Sequence, residues 1–129
     1  MRALKTVILA VGIFGAVVAH AESMTFTCHE TSKTLVQNGP SGKMTPDAQL
    51  IRLVIQDAKF NNRLEIYGPT NDVGVFQGSH KTSQGTQFTW ATSSGSEYTL
   101  TVSPGVHTFN SHFQQTQWSA INTVASCTR

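Results

Sequence analysis

Charge is scarce in this chain: 12% of its 129 residues are Asp, Glu, Lys or Arg, and like charges never form a run. With 39% hydrophobic content, that scarcity excludes a charged disordered tail and suits one small domain better than a multi-domain enzyme. Cysteine is limited to Cys28 and Cys127, so no C-x-x-C redox or zinc motif exists. Neither an H-E-x-x-H helix nor a G-x-S-x-G elbow occurs, which removes the common zinc-protease and serine-hydrolase signatures. Gly39-Pro40-Ser41-Gly42-Lys43 superficially matches a phosphate-binding loop. The motif would require a first glycine at Gln37 and a hydroxyl at Met44, so the segment reads as a turn.

Long apolar runs are absent too. The longest, residues 7–18, is shorter than the roughly 20 residues a bilayer-spanning helix needs. Arg2 and Lys5 precede it and Ala19-His20-Ala21 follows, the layout of a secretory signal peptide cleaved after Ala21. The expectation is a leader over 1–21 and a single domain over 22–129, periplasmic or secreted, with an uncleaved anchor as the alternative. No cysteine stands at the cleavage site to carry a lipid. Of the nine basic residues, Arg2 and Lys5 leave with the leader; the remaining seven balance seven acidic residues. A neutral chain without a basic stripe is a poor partner for nucleic acid or an anionic membrane.

In an oxidising compartment two thiols in a small domain usually pair. A Cys28–Cys127 disulfide would bring the Cα atoms to about 4.4–6.8 Å and lay the first and last segments side by side. A free thiol or a metal pair is the alternative.

The remaining pattern is that of strands. Sixteen threonines follow residue 21, and apolar residues recur at every second position, the period of a half-buried strand. Met24, Phe26 and Cys28 mark one face, as do Ile51, Leu53 and Ile55, then Leu64 and Ile66, Val73 and Val75, and Phe88 and Trp90. Tyr98, Leu100 and Val102, and finally Ile121, Thr123, Ala125 and Cys127, continue the series. Asn61-Asn62, Ser94-Gly95 and Ser103-Pro104-Gly105-Val106 supply turns, the last of type II. The 37–46 stretch reads as a flexible loop, and 45–60 as strand, with a helix capped at Thr45-Pro46-Asp47 as the alternative. The predicted fold is all-β: an antiparallel meander, barrel or curled sheet of about 7–8 strands, closed by the disulfide.

Candidate chemistry is thin. His107 and His112 stand five apart, on opposite faces if one strand carries both, and together only if a turn falls at Asn110-Ser111. Asp57 and Glu65 would face each other across Asn61-Asn62. Aromatics gather in the second half: Phe88, Trp90, Tyr98, Phe109, Phe113 and Trp118. Most would fill the core, Trp90 among them, while a few line a mouth or a partner-facing patch. Gln114-Gln115-Thr116-Gln117 reads as a polar loop displaying a neighbouring ring. The candidate binding surface is Ser94, Gly95, Tyr98, Phe113 and Trp118.

Phe26-Thr27-Cys28 near the start and Ala125-Ser126-Cys127 near the end resemble the layout of small exported bacterial β proteins closed by a disulfide. Ser94-Gly95-Ser96-Glu97-Tyr98 is similar to the Ser-Gly-x-x-Tyr loop of the C-type lysozyme inhibitors, a resemblance that implies inhibition of an enzyme by a loop. Glu97 stands where that family often has a basic residue, and its downstream Trp-x-x-Gly segment has no counterpart here. The sequence thus predicts a non-enzymatic exported binding module without a cofactor, taking a protein partner or a small apolar ligand. A lysozyme-type inhibitor, or a small hydrolase or metal protein using His107 and His112, are the alternatives.

Overall fold

A computed structural model describes residues 23–56 and 62–129. The leader expected over 1–21, the Asp57 half of the carboxylate pair and Asn61 lie outside the described residues. The strands are β1 (Met24–Gln37), β2 (Gly42–Met44), β3 (Ile51–Ile55), β4 (Leu64–Tyr67), β5 (Asp72–Thr82), β6 (Gly85–Ala91), β7 (Glu97–Val102), β8 (His107–Thr116) and β9 (Ser119–Thr128). They form one antiparallel sheet in which every strand from β3 to β9 pairs with the next, and β9 pairs back onto β1. The sheet therefore closes into a ring, which removes most of the exposed edge that an open meander would leave.

Closure is made by β1. One side of it pairs along its length with β9, from Thr27↔Thr128 to Gln37↔Ser119. Its other side is divided between β3, at residues 24–28, and β2, at residues 33–35. Cys28 and Cys127 are directly opposed in the β1–β9 ladder and form the expected disulfide, with Cα atoms 4.0 Å apart. That is shorter than the usual disulfide range and near the ~4.5 Å of a narrow cross-strand pair, because the two residues face each other directly.

The period-2 reading holds for the core. Phe26, Cys28, Leu53, Ile55, Leu64, Trp90, Leu100 and Ala125 are fully buried on the inner face. The indole Nε1 of Trp90 donates to the Asn62 carbonyl at 2.7 Å, so its polar edge is satisfied as its rings pack. One strand turns the other way. Val73 and Val75 share a face as expected, but it is the outer one, where they are 53% and 63% exposed. Gly74 is the buried residue between them, and a Cβ there would stand 2.9 Å from the Trp90 Cβ. The indole occupies the space a side chain at 74 would need, so β5 puts its smallest residue inward and its valines out.

Further corrections concern loops. The 37–46 stretch is a hairpin in which β2 folds back onto β1, and the polar segment after Phe113 continues β8 as far as Thr116 before turning. Within 45–60, residues 51–55 are strand and 45–50 are irregular; no helix occurs among the described residues. The 103–106 turn has Gly105 at φ +94°, the positive value that the third position of a type II turn demands. This turn and Met24 lie at one end of the ring. The β1–β2 hairpin, the 68–71 loop, the 92–96 turn and the β8–β9 hairpin lie at the other, here called the mouth.

Candidate functional site

Strand β1 begins with strict alternation and then breaks it. Glu30 pairs with Ala125 and Ser32 with Val124, leaving Thr31 as an extra residue in a β-bulge, its hydroxyl donating to the Val124 carbonyl at 3.1 Å. Residues three apart on an uninterrupted strand point to opposite faces; one inserted residue brings them to the same face. Both Glu30 and Lys33 consequently turn inward, with side chains only 3% and 13% exposed. The Lys33 Nζ lies 3.2 Å from Oε1 and 3.4 Å from Oε2 of Glu30. The Asp47 backbone N–H donates to Glu30 Oε1 at 2.7 Å, and Asp47 in turn accepts from the Gln49 N–H, so the irregular 45–50 segment is tied down over this pair.

Lys33 opens a row that crosses neighbouring strands in register. It is opposite Thr123, Thr123 is opposite Ser111, and Ser111 is opposite Tyr98. Apolar residues stand on either side of the row: Ala125 and Phe109 beneath it, Ile121 and Phe113 above it. The Tyr98 hydroxyl donates to Asp72 Oδ2. Burial, followed by this bond to a carboxylate, pushes the phenol far above its ordinary value. Glu30, Lys33, Thr123, Ser111, Tyr98, Phe109, Phe113 and Ile121, with Ile51, Ile66 and the loop residues Pro69 and Thr70, line a cavity of about 60 Å³.

The residues singled out from sequence divide between this cavity and the rim around it. Tyr98 and Phe113 line the cavity. Ser94 and Gly95 belong to the exposed part of the 92–96 turn, where the Ser94 and Thr92 hydroxyls are 2.8 Å apart and Gly95 takes φ +97°. Trp118 stands outward on the β8–β9 hairpin, 62% exposed, its carbonyl accepting from the Asn38 N–H. Tyr98 is thus an interior residue, and the five do not share one continuous surface.

His107 and His112 both lie on β8 with no turn between them, so they face opposite sides. His107 meets the edge of Phe26 at a centroid distance of 5.4 Å, and its buried Nδ1 has no hydrogen-bond partner. His112 lies near Asn122 Oδ1 at 2.6 Å and Gln114 Oε1 at 3.1 Å. Among the described residues no three His, Cys, Asp or Glu side chains are grouped to hold a metal. Glu65 is held by Tyr67, Arg63 and Gln56 on the outer face, with the Tyr67 hydrogen bond the main cause of its lowered pKa.

Glu30, Lys33 and Asp72 were not singled out from sequence, and Ser111 and Thr123 were named only as a possible turn and a strand-face position. The available signal was two charged residues, Glu30 and Lys33, inside a stretch otherwise uncharged and rich in threonine. No family model, curated protein or solved structure matches the chain. Among the described residues no helix is long and apolar enough to cross a membrane.

Proposed function

We propose that this protein is an exported, non-enzymatic binding module whose ligand enters the mouth of the ring. The observation that carries this reading is the inward-facing Glu30–Lys33 pair beside the Ser111 and Thr123 hydroxyls, around a cavity within an otherwise apolar interior. Buried ion pairs rarely stabilise a fold better than apolar residues of the same size, so a role in recognition accounts for the pair better than a role in folding. The cavity is far below the several hundred Å³ of a drug-sized site, which favours a very small ligand with polar atoms over the apolar one expected from sequence. The histidines of β8 are engaged outside this row, which supports binding over hydrolysis. The Cys28–Cys127 bridge is consistent with an oxidising, exported location.

Native mass spectrometry of protein purified from the export compartment, followed by denatured intact mass, tests this reading. A small mass lost on denaturation is expected, on a chain beginning at Glu22 and lacking two hydrogens. A bare native mass in the presence of a concentrated small-molecule extract of that compartment would overturn it. A second reading, a protein partner at the rim, is favoured by the exposure of Trp118, Ser94 and Gly95 at the mouth end. A lysozyme-inhibition assay tests its narrowest form, and full lysozyme activity at excess protein would remove that form.

A further inference from the structure

Resting on the reading of the cavity as a binding site, we infer that it selects a small uncharged molecule carrying a hydrogen-bond acceptor oxygen, such as an amide or ketone carbonyl, on a short apolar body. The cavity's polar atoms are asymmetric in their commitments. The carboxylate that lines it, Glu30, is already engaged, as is Asp72, which the Tyr98 hydroxyl meets. Glu30 accepts from Lys33 and from the Asp47 N–H, and Asp72 accepts from the Tyr98 hydroxyl and the Val73 N–H. The donors are less committed. Lys33 has Glu30 as its acceptor at distances beyond 3 Å, and an ammonium carries three N–H bonds. Thr123 and Ser111 follow it on adjacent strands, each with a hydroxyl able to donate. An acceptor oxygen placed against this row meets three donors on three strands.

Charge restricts the ligand further. Glu30 and Lys33 cancel, so the site offers no net charge to balance that of a ligand. An anion would bring a second carboxylate to an ammonium that already has one, and a cation would face Lys33; each would lose its hydration without compensation. Volume sets the size: about 60 Å³ corresponds to roughly four to six waters at 10–15 Å³ each, which fits a molecule about as large as N-methylacetamide. Phe109, Phe113 and Ile121 flank the row and supply apolar walls for its methyl groups.

The test is titration of the isotope-labelled mature chain with N-methylacetamide, acetate and ethylammonium in parallel, following backbone amide shifts. The expected result is saturable movement at Lys33, Ser111, Thr123 and Tyr98 with the amide and weaker or no saturation with either ion. Thr123→Val, which keeps the side-chain shape, and Ser111→Ala should each weaken amide binding about two- to tenfold, in spectra that otherwise match the parent. Tighter binding of acetate or ethylammonium than of the amide would overturn the inference while leaving the cavity as a site. No saturable shift at these residues with any of the probes would overturn both.

Discussion

The two halves of the ring interior are built from the same strands yet differ in kind. Around Phe26, Leu53, Ile55, Leu64 and Trp90 the interior is fully buried and apolar but for the His107 imidazole at the edge of Phe26, and the Cys28–Cys127 bridge joins the strands beside it. Toward the mouth the same β1 and β9 present Glu30, Lys33 and Thr123 around a cavity. The divide within β1 is the bulge at Thr31. Before it, buried and exposed residues alternate from Met24 to His29; after it, the inward positions shift by one and a lysine takes a place that strict alternation would give to its neighbour. A single extra residue is therefore enough to turn half of a packed interior into a polar chamber.

The largest expected effect tests whether the mouth half bears a stability cost for its polarity. Lys33→Met leaves the Glu30 carboxylate buried without its cation and should destabilise by about 3–5 kcal/mol. Glu30→Met combined with Lys33→Met should recover most of that loss, or exceed the parent. Urea midpoints of the parent, single and double variants decide it. A single variant costing under about 1 kcal/mol would place the pair in effective contact with water, as for an ordinary surface ion pair, and the contrast between the halves would fail.

In the apolar half the corresponding test is the bridge. Replacing Cys28 and Cys127 by serine should lower stability by about 2–5 kcal/mol, since the bond spans a sequence separation of 99 and restrains the unfolded chain. An unchanged denaturation midpoint would mean that the β1–β9 ladder alone closes the ring.

A smaller effect lies at the border of the halves, in Tyr98. Its phenol is raised by burial and by the bond to Asp72, so the folded chain holds this proton more tightly than the unfolded chain. The stability this confers is fully present below about pH 10, the ordinary phenol value, and is lost as pH climbs through the raised one. Denaturant midpoints should therefore fall with rising pH above about 10. Tyr98→Phe should cost about 1–3 kcal/mol at neutral pH and flatten much of the alkaline slope. An unaltered slope would assign it to Tyr67, whose phenol is also raised, chiefly by its bond to Glu65.

What could be read from sequence follows the same divide. In the apolar half the period-2 rule works because inward positions demand apolar side chains: Met24, Phe26, Leu53, Ile55, Trp90 and Leu100 all appear inside as their spacing requires. The rule failed at β5, where the inward residue is Gly74, because a glycine beneath an indole carries no hydrophobic signal, whereas Val73 and Val75 carry a strong one from the outer face. It also could not reveal the polar chamber. A bulge leaves no mark on composition, and alternation without it would send Glu30 and Lys33 to opposite faces. Tyr98 and Phe113 were found because an aromatic residue is a candidate in any setting; Ser111 and Thr123 resemble every other hydroxyl of a threonine-rich sheet until register places them beside Lys33.

The smallest stability effect, and the sharpest test of inside against rim, comes from the two tryptophans. Trp90 is fully buried and Trp118 largely exposed, so Trp118→Phe should change stability by no more than about 0.5 kcal/mol. That variant leaves Trp90 as the sole indole, which should emit to the blue and resist acrylamide. Trp90→Phe leaves Trp118, with red-shifted emission and ready quenching. Equal quenching of the two would break the assignment of Trp90 to the core. A protein partner at the mouth would shield Trp118 in the Trp90→Phe variant, whereas a ligand confined to the cavity would leave that quenching unchanged, because Trp118 is exposed and does not line the cavity. The same fluorescence titration therefore separates the two binding readings.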